Sequence, residues 1–497
     1  MTPATVIERP APPPPQRAAV PRTRLLLEGP IVSTLLRLAA PNVVVNVVLI
    51  AVTATVDAHF VGRLGPDALA GLVLVFPLLM LMQQMANSSM GGAVASAIAR
   101  AIGSGRRDDA SALVVHALVI AGGAAALFTS VVVVGGPTIY GLMGGHGESL
   151  AAAVEYSNVI FAGALVYWVL STLTSVVRGT GQPAVLALVY VAAEILHIVL
   201  VPTLVFGLGP IPALGIGGAA LATVASFAAS SLALAWFLIS GRTVVTLSFR
   251  RVRFEWRLFR EILRVGAPMS LQPVINNVTL AMLTGFVGTL GANALAGFGA
   301  AVRLEYTLIP LTFGLGASLQ AMAGTNLGAG NVARATRIAW TAAGLAAGMT
   351  GGIGVLAVMW PSAWVALFNA APAVHGMAAS YLCVVGLTYA FLGLGMTLSS
   401  AFQAAARPSW PLAAITSRAL VVAAGGWTVV HMTETGLVGI GLVAAFGLIV
   451  FGGTLGLAFR AGAWLPRAHT RPLVALWRAT THRGDLRHAR TSRRRNS

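Results

Sequence analysis

Three acids stand where acids are costly. Of the fourteen Asp and Glu residues, Asp57, Glu194 and Glu305 lie in apolar sequence rather than in loops, span ends or tails. An ionisable group at membrane depth is disfavoured by roughly 3 kcal/mol or more, so each is a functional candidate. In "VDAHFVGRLGPDALAG" (56–71), Asp57 closes a long apolar run. A carboxyl there can take up and release a proton, since desolvation favours its neutral form. The plainer reading is a side chain that reaches the interface near Arg63. In "YVAAEILHIVLVPTLVFG" (190–207), Glu194 and His197 are three apart and share one helix face. Histidine titrates near neutrality, so the pair is a candidate proton relay, or else a neutral His packed on a partnered Glu. In "GAAVRLEYTLIP" (299–310), Arg303 and Glu305 are two apart and point to opposing faces. Each needs another partner, which makes the pair an inter-helix lock or a substrate contact.

The elements that must carry these residues follow from composition. Of 497 residues 57% are hydrophobic and 9% charged, and mean hydropathy is +0.83, outside the range of soluble domains. Apolar runs of about 20 residues recur, the length that crosses a hydrocarbon core of ~30 Å. Period-two alternation is missing, which excludes an outer-membrane barrel. The chain is predicted to be an all-α integral membrane protein with twelve spans. They lie near 34–58, 68–99, 111–134, 150–177, 184–206, 213–240, 264–287, 294–323, 333–359, 378–404, 410–431 and 437–460. Residues 1–30, rich in Pro, read as a disordered tail with no cleavable signal. The bundles are expected at 31–240 and 264–462, with a connector at 241–263 and an Arg-rich tail at 463–497.

All 32 basic residues are arginine and the formal net charge is +18. The arginines cluster in the two tails, in "RAIGSGRR", at Arg178, in the connector, and at Arg334, Arg337 and Arg407, whereas the other side holds little beyond Arg63. This asymmetry predicts both termini in the cytoplasm. The charge therefore argues for anionic headgroups rather than nucleic acid, or simply for enforced topology. One cysteine, Cys383, excludes an internal disulfide and a multi-cysteine metal site. The Ala, Gly, Val and Arg bias suggests a GC-rich genome, hence a bacterial inner membrane, with the protein acting as a monomer.

The chain is written twice. "FVGRLGPDALAG" (60–71) returns as "FVGTLGANALAG" (286–297), "RLAAP" as "RVGAP", "IGSGRRDDA" as "LGAGNVARA" and "RGTGQP" as "QAAARP", in the same order and at nearly constant offset. That pattern is a duplication. Six spans per copy give both halves one orientation, so an axis along the membrane normal relates them, as in transporters that rock two bundles around a central cleft.

These segments resemble the multidrug and toxic compound extrusion (MATE) family over roughly residues 33–460. The resemblance implies a V-shaped, twelve-helix antiporter that exports organic, often cationic, compounds against a proton or sodium gradient, with no cofactor. It also implies that Asp57 is the ion-coupling carboxylate of the first half, with Thr223 in "ALATVAS" a polar contact from span six; Asn46 is a lesser candidate neighbour of Asp57. Span five departs from the family pattern, because Glu194 and His197 fall where two Asn would be and Val201 where an Asp would be. The second half has no acid in span ten, and "QPVINNV" offers Asn276 and Asn277 where sodium-coupled members carry a Glu. Proton coupling through Asp57 is thus the first expectation and sodium the alternative.

Substrate walls are expected from "LVFPLLMLMQQMANSSM" (74–90), where Pro77 can break the helix. Gln83, Gln84 and Asn87 offer dipoles there, and Met80, Met82 and Met85 offer adaptable apolar contacts. The other expected cleft residues are Asn276, Asn277, Arg303 and Glu305. No HExxH, GxSxG or glycine cofactor motif is present, so an enzyme is not indicated. The more serious rival is a lipid-linked oligosaccharide flippase, but its cleft would need several cations, and only Arg303 and, less centrally, Arg418 are available.

Overall fold

The structure, a computed structural model, describes residues 21–47, 52–241, 243–247, 253–368 and 371–465, and all regular elements among them are helical. Eight helical rods are long and apolar enough to cross a bilayer, nine if the bent pair Gly147–Ala162 and Ala164–Gly179 counts as one crossing. Three further rods complete twelve spans: Ile31–Val47 with Thr53–Gly62, Trp256–Gly288 and Ala292–Gly328. In chain order the other spans are 66–103, 107–142, 147–179, 183–206 and 215–239 in the first half, and 332–359, 372–404, 409–432 and 436–460 in the second. They form two six-helix bundles related by the parallel repeat.

The repeated words mark repeated turns. Gly65 and Gly291 take φ of 119° and 102°, and Gly105 and Gly330 take 77° and 79°. At the third pair the second copy lost its glycine: Gly181 has φ 75°, yet Ala406 holds 57°, which costs an alanine about 1 kcal/mol. Both copies of the "FVG…ALAG" segment turn at the same end of the molecule, away from the arginine clusters.

The bundles meet closely at the arginine-rich end. There the second part of span two, Gly91–Gly103, packs along span eight, and the contact is itself two-fold. A Cβ on Gly103 would strike the Thr325 carbonyl, and one on Gly328, its repeat equivalent, would strike the Arg100 carbonyl. Arg100 also ties the halves, donating to the Ala404 carbonyl (2.8 Å) and pairing with Glu261 (3.2 Å). Among the described glycines no such crossing between bundles recurs at the other end. We expect Gly328→Ala to favour opening at the arginine-rich end, because overpacking against backbone costs about 1–3 kcal/mol. A cysteine at Ala99, which faces Gly324 across the seam, would then react with a water-soluble maleimide several-fold faster in a Cys383→Ser background. Equal rates would refute the steric role.

Three boundaries differ from expectation. Pro21–Glu28 is helical rather than a disordered tail, because Leu26 is buried against both halves and its carbonyl accepts from Asn326. The span seven helix begins at Trp256, eight residues early, held by Arg257 on Asp109 and by the Glu255 amide on buried His116. Trp464 and Leu465 pack under Phe459 instead of starting the tail. The expected headgroup contacts of "RRVRFEWRLFR" fall partly, and those of the C-terminal tail wholly, outside the described residues.

Candidate functional site

Span one offers Thr53 and Asp57 one turn apart, and span five offers Glu194 and His197 one turn apart. Packed side by side, the two helices pair these residues as two rungs. His197 Nε2 lies 3.0 Å from Asp57 Oδ1, with the ring 1% and the acid 5% exposed. The Thr53 hydroxyl donates to Glu194 at 3.1 and 3.3 Å. A proton between Asp57 and His197 belongs to the pair rather than to either residue.

Asp57 also faces a cavity of about 330 Å³ inside the first bundle. Its polar lining includes Thr53, Gln83 and Thr223, and its walls include Phe76, Met80, Tyr156, Tyr167 and Phe227. Asp57 is the one charged group among the described residues that line it. Thr223 donates to its own Ala219 carbonyl (3.1 Å), and Tyr156 shares the cavity lining with Asp57. Val201, where the family pattern has an acid, is fully buried packing.

Several expected residues go elsewhere. Asn46 donates to the Asn42 carbonyl of its own helix and makes no described bond to Asp57. Gln84 is half-buried off the cavity lining, and Pro77 sits inside an unbroken α-helix ending at Gln84. Met82 is core, and Met85 packs against the same core. Asn87 is taken by Arg178, which donates to it at 2.6 Å. In the second bundle Asn277 bonds the Pro273 carbonyl and is exposed. Arg303 points outward over the Phe368 ring, 5.0 Å from its centre.

Glu305 turns the other way and meets Arg418 of span eleven at 3.4 Å, and Arg418 also donates to Asn276 at 3.3 Å. Spans seven, eight and eleven thus hold a largely buried ion pair in the helices equivalent to spans one, two and five. The titratable partner in the first bundle is histidine; in the second it is arginine, which stays charged. This pair bridges spans eight and eleven and does not line the cavity. Sequence reading missed Thr53, although its spacing of four from Asp57 was a usable signal. The aromatic walls on spans four and six had no such signal.

The sequence model of the MatE family matches residues 43–203 and 268–428, one match in each bundle. The chain belongs to the MatE family. It is 28% identical over 387 residues, 77% of this chain and 84% of the relative, to a protein of Shewanella oneidensis described as an FAD transporter. Identity to a probable multidrug resistance protein NorM of Thermotoga maritima is 25%, over 87% of this chain and 93% of the relative. A structure described as the outward-facing conformation of a multidrug resistance MATE family transporter superposes with TM-score 0.81 at 26% identity, covering 90% of this chain and 99% of that one. As a member of this family the protein is a membrane transporter and not an enzyme, which absorbs both the duplicated bundles and the cleft between them.

Proposed function

We propose that the protein exports amphipathic organic cations in exchange for protons by alternating access, with Asp57 as the group that trades a proton for the substrate. One observation carries the reading: a cavity walled by aromatic rings contains a single carboxylate and no cation among its lining residues. Aromatic faces and one carboxylate attract an organic cation. The same composition disfavours a pyrophosphate-bearing lipid-linked sugar. When Asp57 is protonated the cavity is neutral; when the proton leaves, a charge appears that a cation neutralises. His197, in contact with that oxygen, gives the proton a route, and Glu194 extends it. Proton coupling is favoured over sodium because Na⁺ wants several oxygen ligands while Asp57 turns an oxygen to a ring nitrogen. We read the arginine-rich end as cytoplasmic, with both termini there, in a bacterial inner membrane; the cleft then faces outward.

Proton release on ligand binding tests the reading. Ethidium added to purified protein in weak buffer, without sodium, should release close to one proton per cation bound at acidic pH. The yield should fall towards zero as pH rises, because an acid already ionised has no proton to give, while ethidium affinity rises over the same range. Release that requires sodium would move the chain to sodium coupling. Tighter binding of flavin adenine dinucleotide than of ethidium, with no protons released, would replace the cation reading with that of the Shewanella relative's name.

A further inference from the structure

Six residues of span two, Met85–Met90, are wound as a π turn between the α-helices Pro66–Gln84 and Gly91–Gly103. Such turns accommodate one extra residue and concentrate at functional sites. The second bundle does not repeat this one, since the equivalent residues, Pro310–Leu315, lie within the α-helix Ala292–Gly328. Two side chains grip the turn, and they are repeat equivalents: Arg178 of "RGTGQP" and Gln403 of "QAAARP". Arg178, from the same bundle, donates to Asn87 (2.6 Å) while its guanidinium stacks over Phe313 of the other bundle, 4.9 Å from the ring centre. Gln403 reaches across from the second bundle. Its Nε2 donates to the carbonyls of Ser89 (2.8 Å) and Ser88 (3.2 Å), and its Oε1 accepts from Gln320. The amide is 2% exposed, and Gly92 leaves the space it fills, since a Cβ there would meet that amide.

We propose that Gln403 is a positioning residue for the transport cycle: it holds span two in its π form while the arginine-rich end is shut, and its departure lets the turn relax to α-helix and re-aim the cavity wall. The inference rests on the alternating access proposed above and adds the device that links gate to site. The helix before the turn carries Phe76, Met80 and Gln83, which line the cavity with Asp57. Removing one residue from the winding rotates that helix by about 100° or shifts it by ~1.5 Å, the α-helical values per residue. Either change alters the wall that a bound cation touches. When the bundles part at the arginine-rich end, Gln403 leaves with its own bundle, so opening there reaches the site through one helix.

Gln403→Leu keeps the side-chain volume and removes both donors and the acceptor. Spin labels at Arg107 and Ala333, exposed at the arginine-rich end, in a Cys383→Ser background, read the gap between bundles by electron–electron resonance. The open-to-closed ratio at that end should rise about tenfold, the scale of one or two buried hydrogen bonds. Ethidium affinity should fall at least tenfold, while protons released per ethidium bound stay unchanged. Gly92→Ala, which displaces the amide from the opposite side, should do the same. Deleting Ser88, which removes the extra residue, should weaken ethidium binding even with the bundles shut. Unchanged distances in both point variants would overturn the proposal. A shifted distance with unchanged affinity would overturn the link from the turn to the cavity, and so would a Ser88 deletion that binds as the parent does. Loss of proton release with these effects intact would instead strike the coupling role of Asp57.

Discussion

Asp57→Asn should abolish concentrative export while leaving a folded protein that still binds ethidium. The amide is isosteric and can still meet His197 Nε2, 3.0 Å away in the parent, so the contact between spans one and five survives. What it cannot do is titrate. One proton exchanged for one monovalent cation moves no net charge, so each pH unit supplies about 1.4 kcal/mol, enough to concentrate the cation about tenfold. The variant should lose that whole factor and release no protons on binding ethidium. His197→Gln should instead keep export and shift its pH profile, because the relay is altered while the coupling acid remains. Reconstituted liposomes with an imposed pH gradient make the measurement. Export by Asp57→Asn at parental rates would remove Asp57 from the mechanism and leave Glu194, on the second rung, as the acid to test.

Breaking the lock of the second bundle should cost stability rather than coupling. Arg418→Met removes the cation facing Glu305, whose side chain is 20% exposed against 9% for Arg418. A carboxylate stranded in this way typically costs about 3–5 kcal/mol, less whatever Glu305 recovers by taking a proton. We expect the apparent Tm in detergent to fall by about 5 °C or more. The double variant Glu305→Gln, Arg418→Met should recover most of the loss, since a neutral amide beside a thioether leaves no uncompensated charge. Both should retain proton release per ethidium bound. A double variant no more stable than Arg418→Met would show that the arginine acts by packing, and lost proton release would draw the pair into the coupling machinery.

Hydropathy alone determined the class of this protein, because a bilayer core demands apolar runs of a set length and punishes charge within them, and the repeat supplied the spans that are less apolar. The duplication was equally plain in the sequence, since turns need specific backbone conformations and so keep their residues. Even there, Ala406 shows a repeat outliving its glycine. Composition also singled out Asp57, Glu194 and Glu305. It could not say whom they meet. Helical period tells which residues share a face of one helix, but not how that helix is rotated about its axis or which neighbour it packs against. Arg303 and Glu305 had to part, yet only packing decided that Glu305 turns inward to Arg418 while Arg303 lies over Phe368. Asn87 read as a substrate dipole and became the handle of Arg178. The π turn left only a one-residue slip in the repeat, from an offset of 226 at Gly65 and Gly291 to 225 at Gly103 and Gly328, and the amide that grips it comes from Gln403, more than three hundred residues away in the other bundle. Contacts that cross between bundles are tertiary by nature, and they decided where the cleft is shut.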